Sequence, residues 1–227
     1  EAESHIRFLA EHDPLTGLIN RKTFHARLEK TIEMASQKNR PLTILSIDLD
    51  RFKEVNDVHG PSAGDHVLHE IGNRLQSLGN DHVFFSRIGG DEFVGVLSHV
   101  DSANYRQDSL NFAARILDEL AVPIAINPDD SAQISASIGM ACFPDDGPDG
   151  ETVLFNADLA LYRSKLNGWA RMMFFEPEMD SEHRNKRQIS AALSTALQND
   201  ELEIHYQPQC RTECTKFTGF EALLRWK

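Results

Sequence analysis

Apolar residues recur along the chain in two rhythms, and each change of rhythm marks an element. Phe24, Leu28 and Ile32 follow at helical spacing behind Asn20, a residue suited to capping, which predicts a helix to about Gln37. "PLTILSIDLD" (41–50) is a dense apolar run that ends abruptly in acids, the pattern of a buried strand. Val67, Leu68, Ile71 and Leu75 predict a second helix over 63–78, with further helices over 108–121 and 151–167. "HVFFSRI" and "EFVGVL" stand either side of Gly89-Gly90 and predict a tight hairpin in which both glycines take positive φ. "QISASIGMACF" (133–143) and "RMMFF" (171–175) read as strands. Helices and strands alternating irregularly around a central hairpin give an α+β class, a mostly antiparallel central sheet flanked by helices.

The two ends read differently. "EAESHIRFLAEH" places Ile6, Phe8 and Leu9 on one short helix that stops at Asp13-Pro14, because the residue before proline resists the α region. Residues 1–12 therefore read as the tail of a stalk, and 13–177 as one domain. At "EPEMDSEHRNKRQ" the apolar residues almost vanish, which marks a linker. Beyond it lie a helix, "ISAALSTAL", and two strands, "LEIHYQP" and "FTGFEALLRWK". Residues 178–227 hold too few elements to bury a core and read as the opening of another domain.

A formal net charge of -12 argues against a protein that grips nucleic-acid backbone, which would carry a basic stripe, but leaves room for a nucleotide held by a few placed groups. Three cysteines form no disulfide framework, and Cys210 with Cys214 lacks a second pair to complete a zinc site. No apolar run approaches the ~18 residues of a membrane span. A cytoplasmic domain without membrane contact of its own is the expectation, whether or not the parent protein is tethered.

The chemistry gathers at two acid clusters. Asp91 and Glu92 follow the paired glycines, and Asp48 and Asp50 close the first long strand with Lys53, Asn56 and Asp57 just behind. If the strand lies beside the hairpin, Asp48 and Asp91 converge at one edge of the sheet. Two carboxylates about 5 Å apart repel by roughly 3 kcal/mol at an effective dielectric near 20, so a cation must offset them. Oxygen donors with no histidine or thiol beside them select a hard cation, Mg²⁺ or Mn²⁺, which completes its shell with water and substrate phosphates. Two independent solvated turns are the alternative. His66 and His69, three apart beside Asp65, read as a polar helix face rather than a metal site.

These segments resemble the diguanylate cyclase, or GGDEF, family. "GGDEF" (89–93) is its signature, and "DPLTGLINR" (13–21), "DLDRFKEVND" (48–57), "AGDHVL" (63–68), "SIGMA" (137–141) and "ADLALYRSK" (157–165) are similar to its other landmarks, in order. The resemblance implies a nucleotide-cyclase-like fold with a ferredoxin-like core, working as a homodimer that joins two GTP into cyclic di-GMP with release of two pyrophosphates. It implies metal held by Asp48, the Leu49 carbonyl and Asp91, and assistance from Glu92. Lys53 and Lys165 would meet the triphosphate, Gly89 and Gly90 would let backbone approach it, and Asn56 and Asp65 would read guanine. The tail, with "YQP" (206–208) and "GFEALLRW" (219–226), resembles the start of a cyclic-di-GMP phosphodiesterase (EAL) domain, part of an α/β barrel. Only Glu221 of that domain's expected metal ligands is then present, so this piece is expected to be inactive.

The chain departs from the cyclase pattern at three places. His59 and Pro61 stand in the loop before Asp65. Trp169 replaces an arginine four residues beyond Lys165, with Arg171 the nearest substitute. Asn80-Asp81-His82-Val83 stands where the product-inhibition motif Arg-x-x-Asp belongs, so that inhibitory site is expected to be absent.

Overall fold

The computed structural model describes residues 2–99, 104–128, 130–166, 168 and 171–181, and in the C-terminal part residues 189, 192–193, 196, 199–210 and 217–226. The chain divides into two compact units, residues 1–179 and 180–227.

In the larger unit, helix α1 (Ala2–Glu11) leads to a two-residue strand β1 (Ile19–Asn20) and helix α2 (Arg21–Lys38). Asn20 caps α2 by accepting the Thr23 backbone N–H at 3.0 Å. The helix ends at Asn39, whose left-handed backbone lets its N–H reach the carbonyls of Ala35 and Ser36. Then come β2 (Leu42–Asp50), α3 (Phe52–His59), α4 (Pro61–Leu78), β3 (Val83–Gly89), β4 (Glu92–Ser98), α5 (Tyr105–Leu120), β5 (Ile124–Asn127), β6 (Asp130–Ala132), β7 (Ser135–Phe143), α6 (Gly150–Leu166) and β8 (Met172–Phe174).

Six strands form one sheet in the order β1-β3-β4-β2-β7-β8. The four central strands pair antiparallel, whereas β1 joins β3, and β8 joins β7, in parallel. The sheet is therefore mixed, with an antiparallel centre. All nine residues of β2 are buried because strands lie on both its sides and helices on both its faces. Leu45, Ile47 and Leu49 pack with Val67, Ile71 and Ile116 of α4 and α5. Leu42 and Ile44 point the other way, onto Phe24, Leu28, Val153 and Ala157 of α2 and α6. By alternation Ser46, Asp48 and Asp50 share that second face.

Three details differ from the sequence reading. The residues after Asp50 form a helix of their own, α3, entered through Arg51 in the left-handed region (φ 56°). Ile124–Asn127 and Asp130–Ala132 pair as a small two-stranded sheet, β5 with β6. The hairpin turn is Gly90–Asp91, not Gly89–Gly90: Gly89 still pairs with Glu92, and only Gly90 has positive φ (54°). A positive φ at the first turn residue alone is the II′ requirement, so one glycine suffices for the backbone.

In the smaller unit, β9 (Leu202–Cys210) and β10 (Phe217–Trp226) pair antiparallel, Glu221 opposite Gln207. Most of the expected helix "ISAALSTAL", residues 182–188 of the linker, and Cys214 lie outside the described residues. Among the described residues no helix is long and apolar enough to cross a membrane.

Candidate active site

The C-terminal end of β2 brings the acids together. Asp48 pairs directly with Glu92 across the β2–β4 ladder, and the Leu49 N–H donates to the Asp91 carbonyl at 3.2 Å. Directly opposed residues of antiparallel strands project to the same face, where like charges oppose each other. Lys165, in the last turn of α6, meets this pair with Nζ 2.6 Å from Asp48 Oδ1. Burial raises the Asp48 pKa above the ordinary carboxylate value; Lys165 pulls it down, while Asp91 and Glu92 push it up further. Asp91 is half-buried in the turn and Glu92 exposed.

Asp50 is occupied differently. It accepts hydrogen bonds from Ser135 and Ser137 on β7, each 2.7 Å, and so ties two central strands together.

The predicted base-reading residues lie on α3 and α4, around the same end of β2. Asn56 is half-buried and rests against Gly64: a Cβ on Gly64 would stand 1.9 Å from Asn56 Oδ1. The bare backbone at Gly64 thus seats the Asn56 amide beside the neighbour of Asp65, which is exposed. Lys53 is exposed on the first turn of α3. Pro61 falls at the first position of α4, where its fixed φ and missing N–H are accommodated, so the departure there leaves the helix carrying Asp65 intact. His66 and His69 contact the separate backbone carbonyls of Ala125 and Leu15, at 3.1 and 3.0 Å.

The turn that holds Asp91 is anchored from behind. Arg87 donates to the Gly90 carbonyl through Nε (3.0 Å) and Nη2 (2.7 Å), and through Nη1 to Asp13 Oδ1 (3.2 Å). Asp13 also accepts from the backbone N–H and hydroxyl of Thr16. Burial alone would raise the Asp13 pKa, but the Thr16 bonds and the Arg87 charge outweigh it and hold it low. The sequence reading missed Arg87; its position two residues ahead of the paired glycines was the available signal.

A cleft of about 420 Å³ opens beside the carboxylates, between α2 and α6, lined by Arg21, His25, Ser46, Asp48, Glu92, Asp158, Tyr162 and Lys165 among others. Asp158 there accepts the Ser46 hydroxyl at 2.6 Å. A cavity of about 440 Å³ lies away from these residues, lined by Arg27, Lys30, Lys38, Asp81 and His82 among others. Trp169 lies outside the described residues. The Arg171 guanidinium folds back to within 3.5 Å of the Cβ position on Gly168, near the end of α6.

The donor set fits a hard divalent cation: Asp48 at a strand end and Asp91 in the adjoining turn supply carboxylate oxygens. Among the described residues no three His, Cys, Asp or Glu side chains converge on one point.

A family model described as "Diguanylate cyclase, GGDEF domain" matches residues 10–171. The chain belongs to the GGDEF family. It is 41% identical over 226 residues to an uncharacterized signaling protein of Caulobacter vibrioides, covering 100% of this chain and 28% of that protein. It is 36% identical over 219 residues to the bifunctional diguanylate cyclase/cyclic di-GMP phosphodiesterase MucR of Pseudomonas aeruginosa, covering 96% and 31%. With the cyclic di-GMP phosphodiesterase NbdA of the same organism it shares 32% over 226 residues, covering 100% and 28%. The chain thus spans under a third of the length of these curated relatives. Among solved structures, the GGDEF domain of TpbB (YfiN) from Pseudomonas aeruginosa superposes with TM-score 0.72 at 32% identity, over 76% of this chain and 99% of that one. A sensory box/GGDEF family protein from Caulobacter crescentus gives 0.65 at 40% identity, over 70% and 99%.

Proposed function

We propose that residues 13–177 form a diguanylate cyclase that condenses two GTP into cyclic di-GMP, and that two copies face each other to do so. The observation that carries this reading is the register of Asp48 against Glu92 beside Asp91, with Lys165 on the same face. In each half-reaction the 3′-oxygen of one GTP forms a bond to the α-phosphorus of the other, and the bond to pyrophosphate breaks. Asp48, Asp91 and the Leu49 carbonyl hold Mg²⁺ or Mn²⁺, which when bound offsets phosphate charge and orients the α-phosphate for attack. Glu92 assists either at the metal or by receiving the proton of the attacking hydroxyl. Lys53 and Lys165 neutralise the triphosphate, and Gly89 and Gly90 leave open backbone where it approaches. Asn56 and the Asp65 carboxylate read guanine, whose N1–H and amino group are paired donors that adenine lacks. GTP as substrate agrees with a cytoplasmic site.

The tail reads as the opening of an EAL domain. Its support is that the matches to MucR and NbdA run over 96–100% of the chain, and that Ile204, Tyr206, Phe220 and Leu224 stand exposed on a two-stranded sheet unable to cover them. A second reading, favoured by Trp169 and Pro61 at the departures from the family pattern and by relatives named as phosphodiesterases, is a catalytically weak GGDEF domain that binds GTP and regulates the phosphodiesterase behind it.

Incubation with GTP and Mg²⁺ at low and high protein concentration, followed by chromatography, separates the two. Cyclic di-GMP that rises more than linearly with protein and vanishes in Asp91→Ala/Glu92→Ala supports the cyclase. GTP binding without product supports the regulatory module.

A further inference from the structure

The carboxylate assigned to the metal already has a cation on it. Lys165 Nζ lies 2.6 Å from Asp48 Oδ1, a full charge-assisted contact, and Asp48 is only 8% exposed. Without that ammonium a nearly buried Asp48 would face Glu92 across the ladder, with Asp91 in the adjoining turn. A divalent cation on the other oxygen of the same carboxylate would stand a few ångströms from the ammonium and be repelled by it. The lysine can leave: it stands in the last turn of α6 on a four-carbon stem whose side chain is 28% exposed.

We infer that Lys165 is a placeholder cation, holding Asp48 in the nucleotide-free domain and releasing it to the metal only when a triphosphate arrives to receive its ammonium. This rests on the GTP-binding reading above and adds an order to it. Metal and nucleotide enter as one unit, because each removes the obstacle to the other: phosphate draws Lys165 away, and the vacated carboxylate accepts the metal. The coupling is reciprocal, so free metal alone binds poorly. Nothing of the chemical step is changed; what changes is that Asp48 stays paired, and closed to stray divalent ions, until substrate is present.

The test is calorimetric titration of Mn²⁺ into the nucleotide-free chain at pH 8, comparing wild type, Lys165→Met, Lys165→Arg and Lys165→Met/Asp48→Asn. Circular dichroism and thermal melts establish that each variant is folded. Wild type and Lys165→Arg should bind Mn²⁺ weakly. Lys165→Met should bind it roughly tenfold to a hundredfold more tightly, the reach of one charge-assisted contact, and the added Asp48→Asn should abolish the gain. A Lys165→Met protein that is folded and no tighter than wild type overturns the placeholder role. Binding of Mg²⁺ with α,β-methylene GTP to the wild type is measured alongside. If that binding is present and the Lys165→Met gain is missing, the placeholder alone falls; if it is absent, the GTP reading falls and takes the placeholder with it.

Discussion

Arg87 holds Asp13 and the Gly90 carbonyl at once, joining the turn after α1 to the turn that carries Asp91. Both side chains are largely covered, at 12% and 22% exposure, so the contact is more than a surface ion pair. A planar guanidinium can serve two acceptors in different directions, whereas an ammonium on a lysine stem cannot match that fork. Arg87→Ala should lower stability by about 1–3 kcal/mol, and Arg87→Lys should recover only part of it. Cyclase activity should fall in both, by about tenfold or more in the alanine variant, because Asp91 loses its support. Thermal melts and product formation measured on the same samples decide the matter; wild-type activity in Arg87→Ala would show that the turn positions itself.

Gly64 links the Asn56 amide to the packing of α3 on α4. Its Cβ in Gly64→Ala would stand 1.9 Å from Asn56 Oδ1, 2.9 Å from Asn56 Cγ and 3.2 Å from Phe52 Cζ, so the whole amide must swing away and the buried Phe52 ring must give by a few tenths of an ångström. The helix propensity of alanine, up to ~1 kcal/mol over glycine, offsets part of that crowding, and the melting temperature should fall modestly. GTP affinity should drop by roughly tenfold, and discrimination against ATP should shrink with it. Unchanged affinity would remove Asn56 from the base-reading set.

Much of this arrangement was legible from the chain because it is written in local patterns. Phe24 and Leu28 behind the Asn20 cap, and the apolar run that ends at Asp48 and Asp50, are periodic signals that burial later satisfies. The helix α3 escaped because only Phe52 and Val55 of its eight residues are buried, too few to establish a period. A pair of glycines fits a turn in either register, and only the cross-strand pairing of Gly89 with Glu92 decides between them. Arg87 and Asp13 are 74 residues apart, a separation at which no local pattern speaks. Lys165 was singled out by resemblance alone, and its pairing with Asp48 depends on how α6 lies across the sheet.

A buried polar knot gives a prediction for pH. His99 Nε2 lies 3.0 Å from Thr43 Oγ1 and 3.2 Å from Ser109 Oγ, and all three residues are buried. Burial pushes the His99 pKa below its ordinary 6.5, against the pull of Asp108. A histidine whose pKa is lower folded than unfolded takes up its proton mainly on unfolding. Its contribution is fully present above about pH 6.5 and is lost as pH falls below that value. Denaturant unfolding as a function of pH should show wild type losing stability relative to His99→Gln on going below pH 6.5, since the amide stays neutral. A difference between the two proteins that does not change with pH would exclude His99 as the group responsible.

The two glycines ahead of Asp91 should fail in different ways. Gly90 has φ 54°, a conformation that costs an L-residue about 1–2 kcal/mol, so Gly90→Ala should lower the melting temperature. Gly89 pairs within the ladder without positive φ, and a Cβ there meets nothing within 4 Å. Gly89→Ala should accordingly leave stability within about 0.5 kcal/mol of wild type. If the triphosphate passes over that open backbone, the added methyl should weaken GTP binding all the same. Melting curves and calorimetric GTP titrations of both variants separate the roles. Equal destabilisation by the two would return the turn to Gly89–Gly90, and unaltered GTP binding in Gly89→Ala would move the phosphates away from this strand end.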